Sequence, residues 1–285
     1  MASFTRRERV FASSILAGLI GAVPIASPMA QEKSAPPDFS SNYVGWVGLN
    51  GGGPFYEGVP DRVPGPVVSD PAHPFVPNGA GQPSFRVADL SNPNLMPWVK
   101  EAMKADIDEI LAGKKSAFTA QSSCVPAGVP FFMGYGGPDP ILFLQTPKEV
   151  WMIWTEDNQV RRVFMNVAHS ANLKPSWYGE SVGHYEGDTL IIDTIGMNDK
   201  TVVDIYRTPH TEKLHVVERW RMIDDGKTME ATFTVDDPGA FYQPWTAMRH
   251  YRRTNEPEFV EKICAENNSA NLFDYHVPTA AKPDF

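Results

Sequence analysis

The segment "LHVVERWRMIDDGKTMEATFTV", residues Leu214 to Val235, decides the fold class of this 285-residue chain. Two runs of alternating apolar and polar residues flank the turn-forming triplet Asp-Asp-Gly, a pattern typical of a β-hairpin. Side chains alternate between the two sides of a strand, so each run has one mostly apolar face. That face carries Leu214, Val216, Glu218, Trp220 and Met222 on the first strand and Met229, Ala231, Phe233 and Val235 on the second.

Further short strands surround this hairpin from Ile141 onward. The segments are "ILFLQ", "EVWMIWT", "VRRVFMNV", "SVGHY", "TLIIDTIG", "WTAMRHYRR" and "EFVEKIC". No helical pattern separates them, which excludes parallel βαβ units. A meander of roughly nine antiparallel strands must close or stack to hide its edges. We therefore predict a mainly-β chain with an up-and-down barrel of the lipocalin or calycin type, and a two-sheet sandwich as the alternative.

The first thirty residues resemble a secretory signal peptide. Arg6, Arg7 and Arg9 precede an apolar stretch, and "SPMA" ends at Ala30 before polar sequence. The paired arginines are also found in twin-arginine signals, so the general secretory route and the twin-arginine route both stay open. The apolar run is short for a membrane span. The pattern predicts export to the periplasm or beyond, with no stable membrane span after cleavage.

The sequence between the signal and the strands divides into an arm and a helix. Residues 31–93 are rich in proline and glycine, and their aromatic side chains favour an arm that docks on the protein body. Residues 96–112 repeat apolar side chains at helical spacing, with Pro97 at the start and Gly113 at the end. We expect residues 94–285 to form one β-rich domain.

Charge and cysteine content narrow the classes of partner. The formal net charge is −9 and no basic run follows the signal, so nucleic acid and anionic lipid surfaces are disfavoured as partners. The two cysteines, Cys124 and Cys264, are expected to pair in an exported protein. Neither lies in a metal-binding or redox motif. The oligomeric state stays open.

Two acids lie on strand faces that are otherwise apolar. Glu218 shares its face with Trp220, so it needs either a charged partner or a catalytic use as an acid or base. Arg162 or Arg249 would serve as that partner. Asp193 interrupts "LIIDTIG" and is expected opposite Glu218; its alternative use is to cap the neighbouring turn. In "GHYEGDTL", by contrast, Glu186 and Asp188 flank Gly187 in what we interpret as a hairpin turn.

Histidines supply the remaining candidates for acid–base chemistry. His210 follows Pro209 where a loop enters a strand, so it is the expected complement of Glu218, with Asp193 and Asp204 orienting the imidazole or the substrate. A metal site built from His169, His184 and His210 is a minor alternative, because none of them has close metal-ligand spacing. We expect no metal and no cofactor, since nucleotide-binding and nucleophile motifs are absent from the sequence. Expected substrate-binding residues are His169, Trp177, Arg162, Arg219 and Trp245.

Several motifs together resemble a large family of exported bacterial proteins of largely unassigned function. They are "CVPAGVP", "GHYEGDTLIIDTIGMND", "PHTEKLHVVERWR", "DDPGAFYQPWT" and "CAEN", spread over about Cys124 to Asn268. This chain has Tyr185 where the family pattern has tryptophan, and "FMNVAHS" where members often carry an acid-Gly-Arg step. The resemblance implies export, a β-rich body and a cysteine at each end of it. It implies no particular reaction.

These observations favour an exported enzyme that uses acid–base chemistry on a small, partly apolar or aromatic molecule inside a barrel. A lyase, an isomerase and a hydrolase all fit, with Glu218, His210, Asp193 and Asp204 as the catalytic set. The alternatives are a periplasmic binding or carrier protein without turnover and an envelope protein whose arm binds a partner.

Overall fold

The computed structural model describes residues 35–40, 44–49, 56–66, 68–74, 86–114, 124–134, 140–155 and 159–255. Within these ranges the chain forms ten strands and two α-helices. The strands are β1 (Val44–Gly48), β2 (Glu57–Gly58), β3 (Ile141–Gln145), β4 (Glu149–Trp154), β5 (Gln159–Met165), β6 (Glu180–Glu186), β7 (Thr189–Ile195), β8 (His215–Ile223), β9 (Thr228–Asp236) and β10 (Trp245–Asn255). The helices are α1 (Pro97–Leu111) and α2 (Phe131–Gly134).

The strands close into a barrel, which confirms the predicted mainly-β fold. The order is β1-β3-β4-β5-β6-β7-β8-β9-β10, and β10 pairs back with β1. The short β2 adds to β10 outside this ring. A closed ring leaves no long edge exposed, so the sandwich alternative does not apply.

The closing strand comes from the proline- and glycine-rich segment 31–93. β1 pairs along its whole length with β10, from Val44 opposite Asn255 to Gly48 opposite Tyr251, and it also pairs with β3. Trp46 and Val44 are buried. The last predicted strand, "EFVEKIC", lies outside the described residues, as do the signal sequence and Cys264. The predicted Cys124–Cys264 disulfide therefore stays a prediction.

One neighbouring pair departs from the expected antiparallel meander. β5 and β6 run parallel, with Val163 opposite Ser181 and Met165 opposite Gly183. Parallel neighbours need a connection that returns to the same end of the sheet, and a tight hairpin cannot supply it. Residues 166–179 make this return and contain no helix. We call them the crossover loop.

The hairpin from Leu214 to Val235 folds as its pattern predicts. β8 and β9 pair antiparallel, and the residues of their apolar faces point into the barrel, Glu218 included. Asp225 and Gly226 turn the chain with positive φ angles of 54° and 78°. Gly187 likewise has a φ of 62° in the turn between β6 and β7, which agrees with the interpretation of "EGD" as a turn.

Aromatic rings fill much of the barrel interior. Trp220 stacks on Tyr251 at 5.6 Å between ring centroids and meets the edge of Phe143 at 5.5 Å. Burial of each such ring stabilises the fold by roughly 1.5–3 kcal/mol. The Tyr251 hydroxyl donates a hydrogen bond to the carbonyl of Met133 in α2. The interior is therefore tied to the fully buried α2.

The helix α1 begins and ends where the sequence predicted. Pro97 occupies its first turn, and Gly113 follows its end with a φ of 67°. Its buried stripe consists of Val99, Met103, Ile107 and Ile110. Asp106, on another side of the helix, accepts a hydrogen bond from Arg207 at 2.7 Å. No helix in the described ranges is both long and apolar enough to cross a membrane.

Candidate functional site

Glu218 lies inside the barrel and its carboxylate is fully enclosed by donors. Arg161 binds it with both terminal nitrogens, Nη1 to Oε2 at 2.9 Å and Nη2 to Oε1 at 2.5 Å. The indole Nε1 of Trp220 donates to Oε2 at 2.8 Å. Both charged side chains have no exposed surface. A buried carboxylate needs such a partner because the interior solvates charge poorly.

Arg161 is itself satisfied by hydroxyl groups on two other strands. Its Nη2 donates to Thr194 at 2.8 Å and to Ser181 at 3.0 Å, and its Nε also faces Ser181 at 3.2 Å. The sequence predicts Arg162 or Arg249 as the partner of Glu218 and does not single out Arg161. Arg249 is a buried residue of β10. Arg162 lies on the outer face and pairs with Glu149, because strand alternation sends consecutive residues to opposite sides.

Asp193 lies on the outer face of the barrel, so the expectation that it lies opposite Glu218 is wrong. Its register partners are Val182 on β6 and Val217 on β8, whereas Glu218 pairs with Ile192 and points inward. The two acids belong to opposite sides of one sheet. The side chain of Asp193 is 39% exposed.

Two histidines converge on one oxygen of Asp193. Oδ1 lies 3.0 Å from Nε2 of His169 and 3.0 Å from Nε2 of His215. A carboxylate oxygen accepts hydrogen bonds, so each of these ring nitrogens carries the proton and donates. We call His169, Glu180, Asp193 and His215 the outer cluster.

The other ring nitrogen of His169 faces Glu180. Nδ1 lies 3.1 Å from Oε1, and the same carboxylate accepts hydrogen bonds from Ser170, from its backbone N–H at 2.7 Å and from its hydroxyl at 2.5 Å. Partial burial opposes ionisation of Glu180, but the bonds from Ser170 and His169 outweigh it and lower the pKa of Glu180 below its usual value. The lowered pKa keeps the Glu180 carboxylate ionised, as an acceptor of these hydrogen bonds.

The crossover loop explains why these residues meet. It returns the chain from the end of β5 to the start of β6, and this path brings His169 onto outward-facing side chains of β6 and β7. Asp193 and His215 are diagonal neighbours on β7 and β8, within reach of each other's side chains. The cluster therefore depends on the parallel pairing.

His215 has the geometry of an oriented base. Its Nε2 donates to Asp193, and its Nδ1 has no partner within the described part of the chain. Its side chain is 40% exposed. An imidazole with one nitrogen bound to a carboxylate and the other open to solvent can take a proton at the open nitrogen.

His210 and Asp204 are buried in the loop between β7 and β8. The Thr201 hydroxyl lies 2.7 Å from Nε2 of His210, and Nδ1 of His210 donates to the Thr211 carbonyl at 3.0 Å. Burial lowers the pKa of His210 and favours the neutral ring. The described hydrogen bonds link His210 neither to Glu218 nor to Asp204.

Asp204 organises its own loop. Its carboxylate accepts hydrogen bonds from the backbone N–H groups of Tyr206 and Thr208 and from the Thr208 hydroxyl. Burial raises its pKa to about 6, although these hydrogen bonds oppose the shift. These contacts are those of a loop-stabilising residue.

The expected substrate-binding residues contact different partners. Arg162 stacks over the rings of Trp151 and Phe164, and Arg219 pairs with Glu186 on the outer face. Trp177, in the crossover loop, has the Lys200 ammonium 6.0 Å from its ring centroid. Trp245 is a fully buried interior residue that packs on Tyr56, Phe233 and Phe241. Only His169 and Asp193, of all candidates from the sequence, come into contact by a described hydrogen bond.

Metal binding was a minor alternative for the histidines. Within the described ranges, no three His, Cys, Asp or Glu side chains are arranged to hold a metal ion. His184, one of the candidates, pairs instead with Glu186 at 3.2 Å on the outer face.

Sequence reasoning missed His215, Glu180 and Arg161. His215 alternates with the apolar residues of β8 and so belongs to its polar face, but strand alternation cannot show that Asp193 is its neighbour across strands. Glu180 begins β6 and Arg161 lies within β5. The parallel pairing of these two strands has no local sequence signal. Two consecutive arginines, with one forced inward by alternation, were the available sign of Arg161.

Comparison with known proteins adds no relative. No protein-family model matches the chain, and neither a curated protein nor a solved structure is significantly similar to it.

Proposed function

We propose that this protein is an enzyme that uses acid–base chemistry on a small, partly apolar organic molecule, with His215 as the base. The observation that carries the proposal is the 3.0 Å hydrogen bond between Asp193 Oδ1 and His215 Nε2. It leaves Nδ1 of this 40% exposed side chain without a hydrogen-bond partner in the described part of the chain. A carboxylate that orients an imidazole fixes its tautomer and stabilises the imidazolium formed on proton transfer. Proton abstraction in a lyase or isomerase, or activation of water in a hydrolase, would use the same pair.

His169 would assist by carrying a positive charge. Both of its nitrogens face carboxylate oxygens, Glu180 on one side and Asp193 on the other, and both bonds form together only when both nitrogens carry protons. A fixed positive charge beside the base stabilises negative charge that develops on a substrate.

The surroundings of the pair suit a partly apolar substrate. Val182 and Val217 flank Asp193 in register and are half-buried on the same outer face. An apolar floor next to a base holds the carbon skeleton of a substrate while the polar groups act on it. Glu218, the expected interior base, is instead surrounded by three donor groups.

The test compares variants of the outer face with a matched control. We expect His215→Gln and Asp193→Asn to slow conversion of small-molecule candidates by roughly 10²–10⁴-fold, as measured by mass spectrometry of substrate and product. His184→Gln is the control, because His184 is another exposed histidine beside a glutamate on the same face. Full conversion by His215→Gln would overturn the proposal.

A carrier without turnover is the second candidate. It is favoured by the aromatic interior, where Phe143, Trp220 and Tyr251 form a continuous series of ring contacts. Mass spectrometry of small molecules that co-purify separates the two. An intact ligand recovered after prolonged incubation supports the carrier, and a chemically altered ligand supports the enzyme.

Export and a disulfide belong to the same proposal. The arginines and apolar run of residues 1–30 support transfer to an oxidising compartment, where Cys124 and Cys264 would pair. The mass of the purified chain, with and without reduction and alkylation, tests both. A chain beginning near Gln31 with two thiols that alkylate only after reduction is the expected result.

A further inference from the structure

The last strand of the barrel is covered along one edge by two different segments. β1 pairs with the second half of β10, beginning where Gly48 lies opposite Tyr251. The first half, Trp245–Met248, is covered instead by residues 56–66, which include β2. We call residues 56–66 the seam cover, because they lie along the part of β10 that β1 does not reach.

Few backbone hydrogen bonds hold the seam cover in place. In the described part of the chain, β2 pairs with Ala247 and Met248 alone, and the Thr246 N–H donates to the Val63 carbonyl at 2.8 Å. On its other edge, β10 pairs with nearly the whole of β9. A segment with so few bonds opens at a lower free energy than the barrel unfolds.

Side chains fasten the seam cover from both sides of the sheet. Outside, both carboxylate oxygens of Glu57 lie 3.1 Å from Nδ1 of His250. Inside, the ring of Tyr56 meets the edge of Phe233 at 4.8 Å, and its hydroxyl donates to the Val203 carbonyl at 2.9 Å. The outer contact can therefore be weakened at Glu57 without changing a side chain of the interior.

The indole of Trp245, one of the expected substrate-binding residues, lies directly behind the seam cover. Its ring centroid is 6.3 Å from that of Tyr56, and a Cβ on Gly65 would lie 3.5 Å from one of its ring carbons. Phe233 and Phe241 meet it edge to face at 6.1 Å and 6.0 Å. Trp245 is fully buried, so the seam cover and these rings together separate it from solvent.

The indole N–H of Trp245 has no hydrogen-bond acceptor within the described part of the chain. Two other fully buried tryptophans do have one, since Trp46 donates to the Phe39 carbonyl and Trp220 to the Glu218 carboxylate. A buried donor without an acceptor is costly, and protein interiors avoid it. An oxygen of a bound molecule would remove that cost. The N–H is therefore a single polar contact point among aromatic rings, as in small-molecule sites.

We propose that Trp245 is the anchor of a ligand site inside the barrel, which binds a small, uncharged, partly aromatic molecule through a carbonyl oxygen and is entered when the seam cover opens. A charged group would lose its hydration among these rings, which favours an uncharged acceptor. The proposal rests on the carrier, the second candidate function, and names the class of its ligand. The site is separate from the outer cluster, because Trp245 is buried inside the barrel whereas Asp193 and His215 are exposed on its outer face.

The first test measures hydrogen exchange of the indole N–H groups by NMR in the full-length chain. Trp245→Phe identifies the Trp245 signal by its loss. Glu57→Gln is expected to speed exchange at Trp245 by about two- to fivefold, the size of an exposed ion pair, and to leave Trp220 unchanged. An unchanged rate at Trp245, or equal acceleration at Trp220, would overturn entry through the seam cover.

Glu186→Gln is the matched control for this exchange measurement. Glu186 is likewise a glutamate of the outer face, bound by His184 and Arg219, and it lies outside the seam cover. It should leave exchange at Trp245 as it is in the natural chain. Equal effects of Glu57→Gln and Glu186→Gln would overturn the proposal, because Trp245 would then respond to any loosening of the barrel.

The second test uses acetophenone as the ligand probe and α-methylstyrene as its control. The two have nearly the same shape, but the control has a CH₂ group in place of the carbonyl oxygen. We expect acetophenone to shift the Trp245 indole proton signal saturably and to bind roughly two- to tenfold more tightly than α-methylstyrene, the worth of one hydrogen bond. Trp245→Phe should bind both compounds equally.

Two results would overturn the site in the natural chain itself, so the test stands even if Trp245→Phe does not fold. They are equal affinity for the two compounds and a Trp245 signal that acetophenone does not move up to its solubility limit. A co-purified ligand separates this failure from failure of the carrier. If an intact ligand is recovered and its removal leaves the Trp245 signal in place, the protein is a carrier without this site.

Discussion

Asp193 and His215 share a 3.0 Å hydrogen bond although they are not register partners. Val217 lies opposite Asp193, and His215 is two residues earlier on the same face of β8. The bond thus crosses the sheet diagonally, and it depends on two side chains that are both about 40% exposed. A polar pair on the outer face of the barrel has little structural cost, because it interrupts no packed interior.

Asp193→Asn is expected to release His215 from its fixed tautomer. The amide cannot replace the carboxylate as a charged acceptor, so the proton of His215 redistributes between Nδ1 and Nε2. Nitrogen-15 NMR of the imidazole rings at neutral pH measures this change. Turnover of a substrate would fall by roughly 10²–10⁴-fold.

His184→Gln is the control for this measurement, since it removes an exposed histidine of the same face. It should leave the His215 signals unchanged. If Asp193→Asn leaves the ring signals of His215 as they are in the natural chain, Asp193 does not orient His215.

Arg161→Met is expected to cost about 3–5 kcal/mol of the free energy of unfolding. The substitution leaves the Glu218 carboxylate buried without its bidentate partner, and a lone charge in the interior is strongly unfavourable. Urea unfolding at pH 7 measures the loss. Replacing both members, in Arg161→Met/Glu218→Leu, should recover much of it, because neither member is then left buried without the other.

Arg162→Met is the matched control, one residue away but on the outer face. It should change the unfolding midpoint little. Equal losses for the two arginine variants would mean that the interior pair contributes no special stability.

Much of the fold could be predicted from the sequence because the signals are local. The apolar face of Leu214–Val235 specifies strand orientation by alternation alone, and α1 follows from apolar spacing between Pro97 and Gly113. The inward position of Glu218 came from the same alternation. Each of these properties is decided within one strand or helix.

The arrangement of strands was harder to predict, and the candidate site depends on it. The crossover loop has no sequence feature that separates it from a long hairpin loop, so the parallel pairing of β5 and β6 was missed. With it was missed the meeting of His169 with Asp193, whereas the inward direction of Arg161 follows from alternation within β5. Contacts between residues far apart in sequence are set by register, which periodicity does not encode.

Asp204 is expected to make the protein less stable as pH rises from about 4 to about 6. Burial raises the pKa of Asp204 to about 6 from 3.8, so within this window the folded chain retains a proton that the unfolded chain has released. The free energy of unfolding therefore falls with rising pH, by ~3 kcal/mol in total from this group. Asp204→Asn should remove that contribution, as seen in urea unfolding at several pH values.

Asp188→Asn serves as the control, because Asp188 is exposed in the turn between β6 and β7. Its stability should follow the same pH dependence as the natural chain. Parallel curves for Asp204→Asn and the natural chain would show that the buried carboxyl is not the source of the slope.

Gly183→Ala is expected to destabilise the barrel by about 1–3 kcal/mol. A Cβ at this position would lie 2.8 Å from the Ile191 carbonyl oxygen and 2.9 Å from Cγ1 of Val163, so neighbouring strands on both sides leave no room. The Ile191 oxygen belongs to the paired strand β7 and cannot move alone.

Gly187→Asn is the control, since Gly187 has a φ of 62° and open space where a Cβ would lie, and asparagine tolerates that backbone conformation. Thermal unfolding of both variants compares the effect of crowding at Gly183 with the effect of the positive φ at Gly187. A Gly183→Ala chain as stable as Gly187→Asn would mean that β6 can shift outward at no cost, and the position of Glu180 in the outer cluster would then not be fixed by the barrel.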